Sequence, residues 1–281
     1  MLSYRHAFHA GNHADVLKHF VLMHVLQYTG QKGKPYWYID THAGAGKYAL
    51  DTGYATQNAE YESGISRLWQ ASDLPAPLAE YVHLIRQENP DGKLRLYPGS
   101  PAVAEACLRE EDRMRLFELH PNDFKLLRQT FQHGGRKVML FADDGFAGIK
   151  ALLPPPPRRA VVLIDPPYEE KQDYQRVVTA LQDALQRFAT GTYLIWYPLL
   201  QRAEPQQMID KLKRLPLQSW LHVTLTVQHP SPEGFGMHGS GLFIVNPPWT
   251  LPATLQETLP WLTESLSQDD GASYTLEHHI P

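Results

Sequence analysis

Four apolar segments of this chain end in, or run directly into, an acidic residue, and helix-forming sequence separates them. They are Tyr36 to Thr41 with Asp40, Met114 to Leu119 with Glu118, Lys137 to Ala142 followed by Asp143 and Asp144, and Ala160 to Ile164 followed by Asp165. Strand signals alternating with helical ones predict a doubly wound α/β sheet, and parallel strands bring residues at their C-terminal ends to one crevice. A fifth strand is expected at Tyr193 to Tyr197. It follows an amphipathic stretch from about Tyr174 to Phe188, in which Val177, Val178, Leu181, Leu185 and Phe188 recur at helical spacing. Only a Pro/Gly-rich loop separates Trp220–Val227 from Leu242–Val245. Without a crossover helix these two must form an antiparallel hairpin. The expected fold is therefore a mostly parallel sheet of seven strands ending in that hairpin.

The 281 residues suffice for one large core, and we expect a single domain over 1–281. About 65 residues lie between Gly46 and the second strand, more than one crossover needs, so a small helical insertion is expected at about 50–97. Its helices are placed at Gly64 to Gln70 and Leu78 to Gln87. Hydrophobic residues make up 43% and charged residues 20%, as in ordinary globular proteins, and no apolar run approaches the length of a membrane helix. Neither a signal peptide nor, with Cys107 as the one cysteine, an intrachain disulfide is expected, so the predicted location is the cytoplasm. A net charge of −4 argues against a general polyanion binder but not against local basic clusters such as Arg158, Arg159, Lys211, Lys213 and Arg214.

The chemistry is concentrated in Asp165-Pro-Pro-Tyr168. An exocyclic amine on a nucleobase is a poor nucleophile because its lone pair is delocalised into the ring. The Asp165 carboxylate and the Pro166 carbonyl can accept both amine hydrogens and hold the nitrogen closer to sp3 geometry. Pro167 stiffens the turn and contributes no competing donor. Tyr168 is expected to offer a flat face on which an extruded base stacks. Further back, Asp40-Thr-His-Ala-Gly-Ala-Gly46 follows the first strand, where glycines let the backbone approach an adenosyl cofactor. Glu118 stands where such folds bind ribose hydroxyls, and Asp143-Asp144-Gly145 can accept from an adenine amino group and leave Phe146 to pack on the ring. Ser100 is either a helix N-cap or a cofactor contact.

The N-terminal nineteen residues hold His6, His9, His13 and His19. Zinc is disfavoured there, because Gly11-Asn12 interrupts the helix that would align His9 with His13 and no thiolate or glutamate completes a set. We read this segment as a cover over the cofactor, helical from Asp15 to His24, with Lys18 available to the cofactor carboxylate. A second proline motif, Asn246-Pro-Pro-Trp249, follows the last strand, but an antiparallel strand ends at the wrong side of the sheet. Asn246 is therefore expected away from substrate and Trp249 in packing.

Taken with Tyr97-Pro-Gly-Ser-Pro101, Phe117-Glu-Leu-His120 and Gly241 to Trp249, these motifs resemble the ribosomal RNA large subunit methyltransferase J family over nearly the whole chain. The resemblance implies a Rossmann-like class I methyltransferase fold. It also implies S-adenosyl-L-methionine as methyl donor and transfer to N6 of one adenosine in 23S rRNA. On matching positions it implies cofactor contacts at Lys18, His19, His42, Ser100, Glu118, Asp143, Asp144 and Asp165. Catalysis is placed at Asp165, Pro166 and Tyr168, and Tyr4 near the target adenosine. His42 departs from the aromatic residue many related enzymes carry there. The expected partner is 23S rRNA, bound by a monomer through the insertion and the Arg158–Arg159 region, with neither metal nor membrane involved. The competing readings are a DNA adenine-N6 methyltransferase and a nucleotide- or metal-binding protein without transferase activity.

Overall fold

The computed structural model describes residues 6–52 and 55–280. The chain opens with helix α1 (His13–Gly30), strand β1 (Trp37–Asp40) and strand β2 (Lys47–Ala49). Helices α2 (Ala55–Asn58), α3 (Ile65–Gln70) and α4 (Ala76–Gln87) precede β3 (Leu96–Pro98), which pairs with β2. Then come α5 (Ser100–Cys107), β4 (Arg113–Phe117), α6 (Pro121–Thr130), β5 (Val138–Phe141), α7 (Gly145–Leu152), β6 (Ala160–Ile164), α8 (Lys171–Arg187) and β7 (Thr192–Leu199). The chain closes with α9 (Ala203–Lys213), β8 (Trp220–Thr226), β9 (Gly239–Val245), α10 (Leu251–Leu266) and β10 (Ser273–His279).

The main sheet has the order β10-β8-β9-β7-β6-β1-β4-β5. The five strands from β7 to β5 are parallel, and β9 runs antiparallel to both β7 and β8. This is the expected α/β layout with an eighth strand added. β10 pairs antiparallel with β8 at the edge. It escaped the sequence reading because Ser-Tyr-Thr-Leu-Glu-His-His has no apolar face to bury, and only Leu276 is half-buried. The sheet order reverses direction between β1 and β6, and the ends of these two strands define the crevice where doubly wound folds bind ligands.

Both faces of the sheet are covered, which explains the unbroken apolar run of β6, where all five residues are buried. Val161 and Leu163 join the core beneath α1, α4, α5 and α10, while Val162 and Ile164 join the one beneath α7, α8 and α9. Helix α1 is buried on nearly all sides from His13 to Leu26. Its start is fixed by Asn12, whose Oδ1 accepts from the Ala14 and Asp15 amides at 3.0 Å. Gly11, at φ +76°, turns the chain into that cap, and its carbonyl accepts from Ile65 N of α3 at 2.8 Å. The segment between β2 and β3 is thereby docked on the N-terminal segment at the crevice end of the sheet. Among the described residues, no helix is long and apolar enough to cross a membrane.

Position bears on two expectations. Arg159 precedes β6, at the strand ends opposite the crevice. Its guanidinium donates to the carbonyls of Thr29, at 2.6 Å, and Lys34 and caps the chain there. The Arg158–Arg159 region is thus on the wrong side to meet a base at Asp165. Trp249 is 70% exposed and does not pack. Asn246 is satisfied at that same remote end, donating to the Ala189 and Gly191 carbonyls at 2.8 and 2.7 Å.

Candidate active site

A cavity of about 250 Å³ opens at the switch point, lined among others by Lys18, His42, Ser100, Glu118, Asp144, Asp165, Pro166 and Trp196. The turn after β1 forms its floor. Asp40 is fully buried and accepts from the hydroxyls of Tyr38 and Ser100, each at 2.7 Å, and from His42 N at 3.2 Å. Burial raises its pKa against those three donors. Gly44, at φ +60°, points its amide at Glu118, and a side chain there would collide with the Tyr48 hydroxyl. Ser100 does not cap its helix, since Gly99 occupies that position and the Ser100 hydroxyl is spent on Asp40. Sequence reasoning gave Asp40 no role of its own. Its acid closes the turn between β1 and β2 from beneath.

Glu118 leaves β4 beside this turn and accepts from Gly44 N at 2.8 Å and His120 N at 2.7 Å. Desolvation outweighs these donors and pushes its carboxyl up to about 7. Each oxygen retains a lone pair for a ligand hydroxyl. Asp144 caps α7 through Phe146 N at 2.9 Å and pairs with Arg176 at 2.7 Å. Phe146 lies edge-on to His42, with ring centroids 5.2 Å apart, and the Arg176 guanidinium sits 4.5 Å from its centre. Asp143 is exposed and outside the cavity lining. Burial lowers the His42 pKa to about 4, so the ring is neutral.

The other wall comes from β6, β7 and α1. Asp165 Oδ2 lies 2.6 Å from Lys18 Nζ, which is also 3.0 Å from Asp15 Oδ1. Asp15 is itself buried and accepts from Gly11 N at 3.0 Å and pairs with His6 Nε2 at 2.9 Å. Burial acts against both charges, but each is reversed by its partners. Asp165 and Asp15 raise the Lys18 pKa, and His6 and Lys18 hold Asp15 well below the usual carboxylate range. His19 also lines the cavity. Burial drives its pKa to about 3, so it stays neutral, with Nδ1 2.8 Å from the Tyr97 hydroxyl. His9 precedes the helix and lies 2.9 Å from Glu60, apart from His13. His6, which the sequence reading placed in the covering segment without a role of its own, lines the cavity; Tyr4 lies outside the described residues.

Tyr168 requires a correction. It adopts φ +52°, is only 2% exposed, and donates its hydroxyl to the Trp196 carbonyl at 2.7 Å, with its ring against Tyr174. The left-handed turn after the two prolines sends the ring into the core beneath α8 and α9. No face is left on which a base can stack.

The family model described as "Ribosomal RNA large subunit methyltransferase D, RlmJ" matches residues 33–279. Proteins named "Ribosomal RNA large subunit methyltransferase J" from Escherichia coli and Haemophilus influenzae are 48% and 46% identical to this chain, and the matches cover 100% of each sequence. A crystal structure of a Legionella pneumophila protein, 37% identical, superposes with a TM-score of 0.88 over 96% of this chain and 98% of its own.

Proposed function

Since the chain belongs to the ribosomal RNA large subunit methyltransferase family matched over residues 33–279, we propose that it methylates the N6 amine of a specific adenosine in 23S rRNA, with S-adenosyl-L-methionine as donor. The observation that carries this reading is the position of Asp165. It stands at the switch-point end of β6, followed by Pro166 and facing the cavity that also holds Glu118.

The residues present fit a nucleoside cofactor. Glu118 offers lone pairs to ribose hydroxyls, and the positive-φ turn at Gly44 leaves room for close backbone approach. His42 and Phe146 supply ring surface beside Asp144. Lys18, His19 and Ser100 would complete the contacts, with Asp143 at the rim. When bound, the cofactor supplies a methyl group already activated on a sulfonium, so the protein contributes mainly position and electrostatics.

Asp165 and the Pro166 carbonyl accept the two amine hydrogens and localise the nitrogen lone pair. To do so, Asp165 must release the Lys18 ammonium from Oδ2. Lys18 keeps Asp15 as a second counter-charge at 3.0 Å, so the exchange leaves no buried ammonium unpaired. The amine proton leaves by way of Asp165. His6 lines the cavity and limits water there. We further read the enzyme as a monomer working in the cytoplasm. Adenosine must be unpaired or extruded to reach this site.

The test is to offer tritiated cofactor with protein-free 23S rRNA, or with duplex DNA, as acceptor. We expect label in RNA and none in DNA. Label in DNA alone would reassign the substrate.

A further inference from the structure

We propose that Trp196 is the aromatic surface against which the target base is held, in the role that Tyr168 cannot play. The inference rests on the reading of Asp165 as the group that takes the adenine amine. β6 and β7 pair in parallel with Ile164 opposite Ile195, so Asp165, just past the end of β6, stands next to Trp196, which continues along β7. Both meet the same ammonium: Lys18 Nζ is 2.6 Å from Asp165 Oδ2 and 5.3 Å from the centre of the Trp196 ring. Trp196 lines the cavity and is half-buried, whereas Tyr168 is 2% exposed and lines none of it.

The indole N–H gives a second, independent indication. Nε1 is buried and, among the described residues, has no hydrogen-bond partner, so this N–H does not hold the indole in place. A phenylalanine would line the wall without stranding a donor. An indole in this place makes sense as ring area. It is the largest π surface a side chain offers, and it already holds a cation near its face. Moving Lys18 back towards Asp15 opens the Asp165 carboxylate and the Trp196 ring together. One displacement thus exposes both the amine acceptor and the stacking wall.

The experiment is steady-state methyl transfer to protein-free 23S rRNA by wild type, Trp196→Phe and Trp196→Leu, with cofactor Kd measured by calorimetry on each. Trp196→Leu should lose roughly ten- to hundredfold in kcat/KM for RNA, the usual worth of one base–aromatic stack. Its cofactor Kd should be unchanged, and Trp196→Phe should recover most of the loss. A Leu variant as fast as wild type would overturn the proposal, as would equal losses in Phe and Leu accompanied by weaker cofactor binding. Should the Leu variant fail to fold, tryptophan quenching on RNA titration decides the matter. Quenching that shrinks in Trp196→Phe supports the stack, and quenching equal to wild type refutes it. Wild-type enzyme that places no methyl on adenine N6 would remove the premise and the proposal together, whereas transfer that survives in Trp196→Leu removes the proposal alone.

Discussion

Glu118 is held between two backbone amides on a desolvated wall, and its carboxyl is pushed up to about 7. Ribose hydroxyls donate best to an ionised carboxylate, so cofactor binding should expel a proton from this group. Affinity for S-adenosylmethionine is therefore expected to rise between pH 6 and pH 8, and Glu118→Gln should bind more weakly and flatten that slope. Calorimetry in buffers of different ionisation enthalpy reads both effects. Tyr168, by contrast, is a structural ring. Tyr168→Phe should cost about 1 kcal/mol of stability through the lost bond to the Trp196 carbonyl, with methyl transfer largely retained. At this scale the sequence announced the acids at strand ends, because chain order alone places Glu118, Asp144 and Asp165 in one crevice. It could not announce their partners. Lys18 and Asp165 are 147 positions apart and meet only because α1 crosses the sheet at that point. Nor does composition foretell that the turn after Pro167 goes left-handed and takes Tyr168 with it.

Helix α1 begins where Asn12 Oδ1 accepts from two backbone amides and its Nδ2 donates to Glu60 Oε2 at 2.9 Å. Asn12→Ala removes both the cap and the tie to the 55–97 region. We expect a loss of about 1–2 kcal/mol, read as a lower urea midpoint at unchanged m. Because the same cap positions Asp15 and hence Lys18, the variant should also lose activity beyond what its stability explains. The parallel strands were legible because they are apolar on both faces, and α8 because its apolar residues recur at helical spacing. The strands that escaped are either exposed or very short, although the β2–β3 ribbon does bury Tyr48 and Tyr97. β10 is exposed at nearly every position, and the β2–β3 ribbon has three residues on each side.

Over the whole molecule, buried neutral histidines should make stability fall in acid. His13 and His42 have pKa values lowered to about 4 and His19 to about 3, all by burial. Unfolded imidazoles protonate near pH 6.5, so below that value the unfolded chain binds protons that the folded one refuses, and the fold loses stability. His24, His222 and His238 shift in the same direction. Glu118 opposes them, because its raised pKa lets the folded state take up a proton between pH 7 and 4.5, and His9, raised by Glu60, also opposes them. Asp40 and Asp173, whose carboxyls burial raises, oppose them as well. The six histidines outnumber these four groups, so the thermal midpoint should drop from pH 6.5 to pH 5, each net proton being worth about 1.4 kcal/mol per pH unit. Asp15 adds its own loss only near pH 3.8 and below, where its carboxylate protonates in the unfolded chain but not in the folded one. A midpoint that held steady or rose over that interval would mean that the histidines are not buried as described. The central claim is that Asp165 directs methyl transfer to the N6 amine of an rRNA adenosine, and one measurement tests it most directly. Tritiated methyl is transferred to protein-free 23S rRNA from a strain lacking the gene, by wild type and by Asp165→Ala, and the RNA is then digested to nucleosides. The account predicts N6-methyladenosine from wild type and none from the variant, while label on another nucleoside, or N6-methyladenosine formed at the wild-type rate by Asp165→Ala, would contradict it.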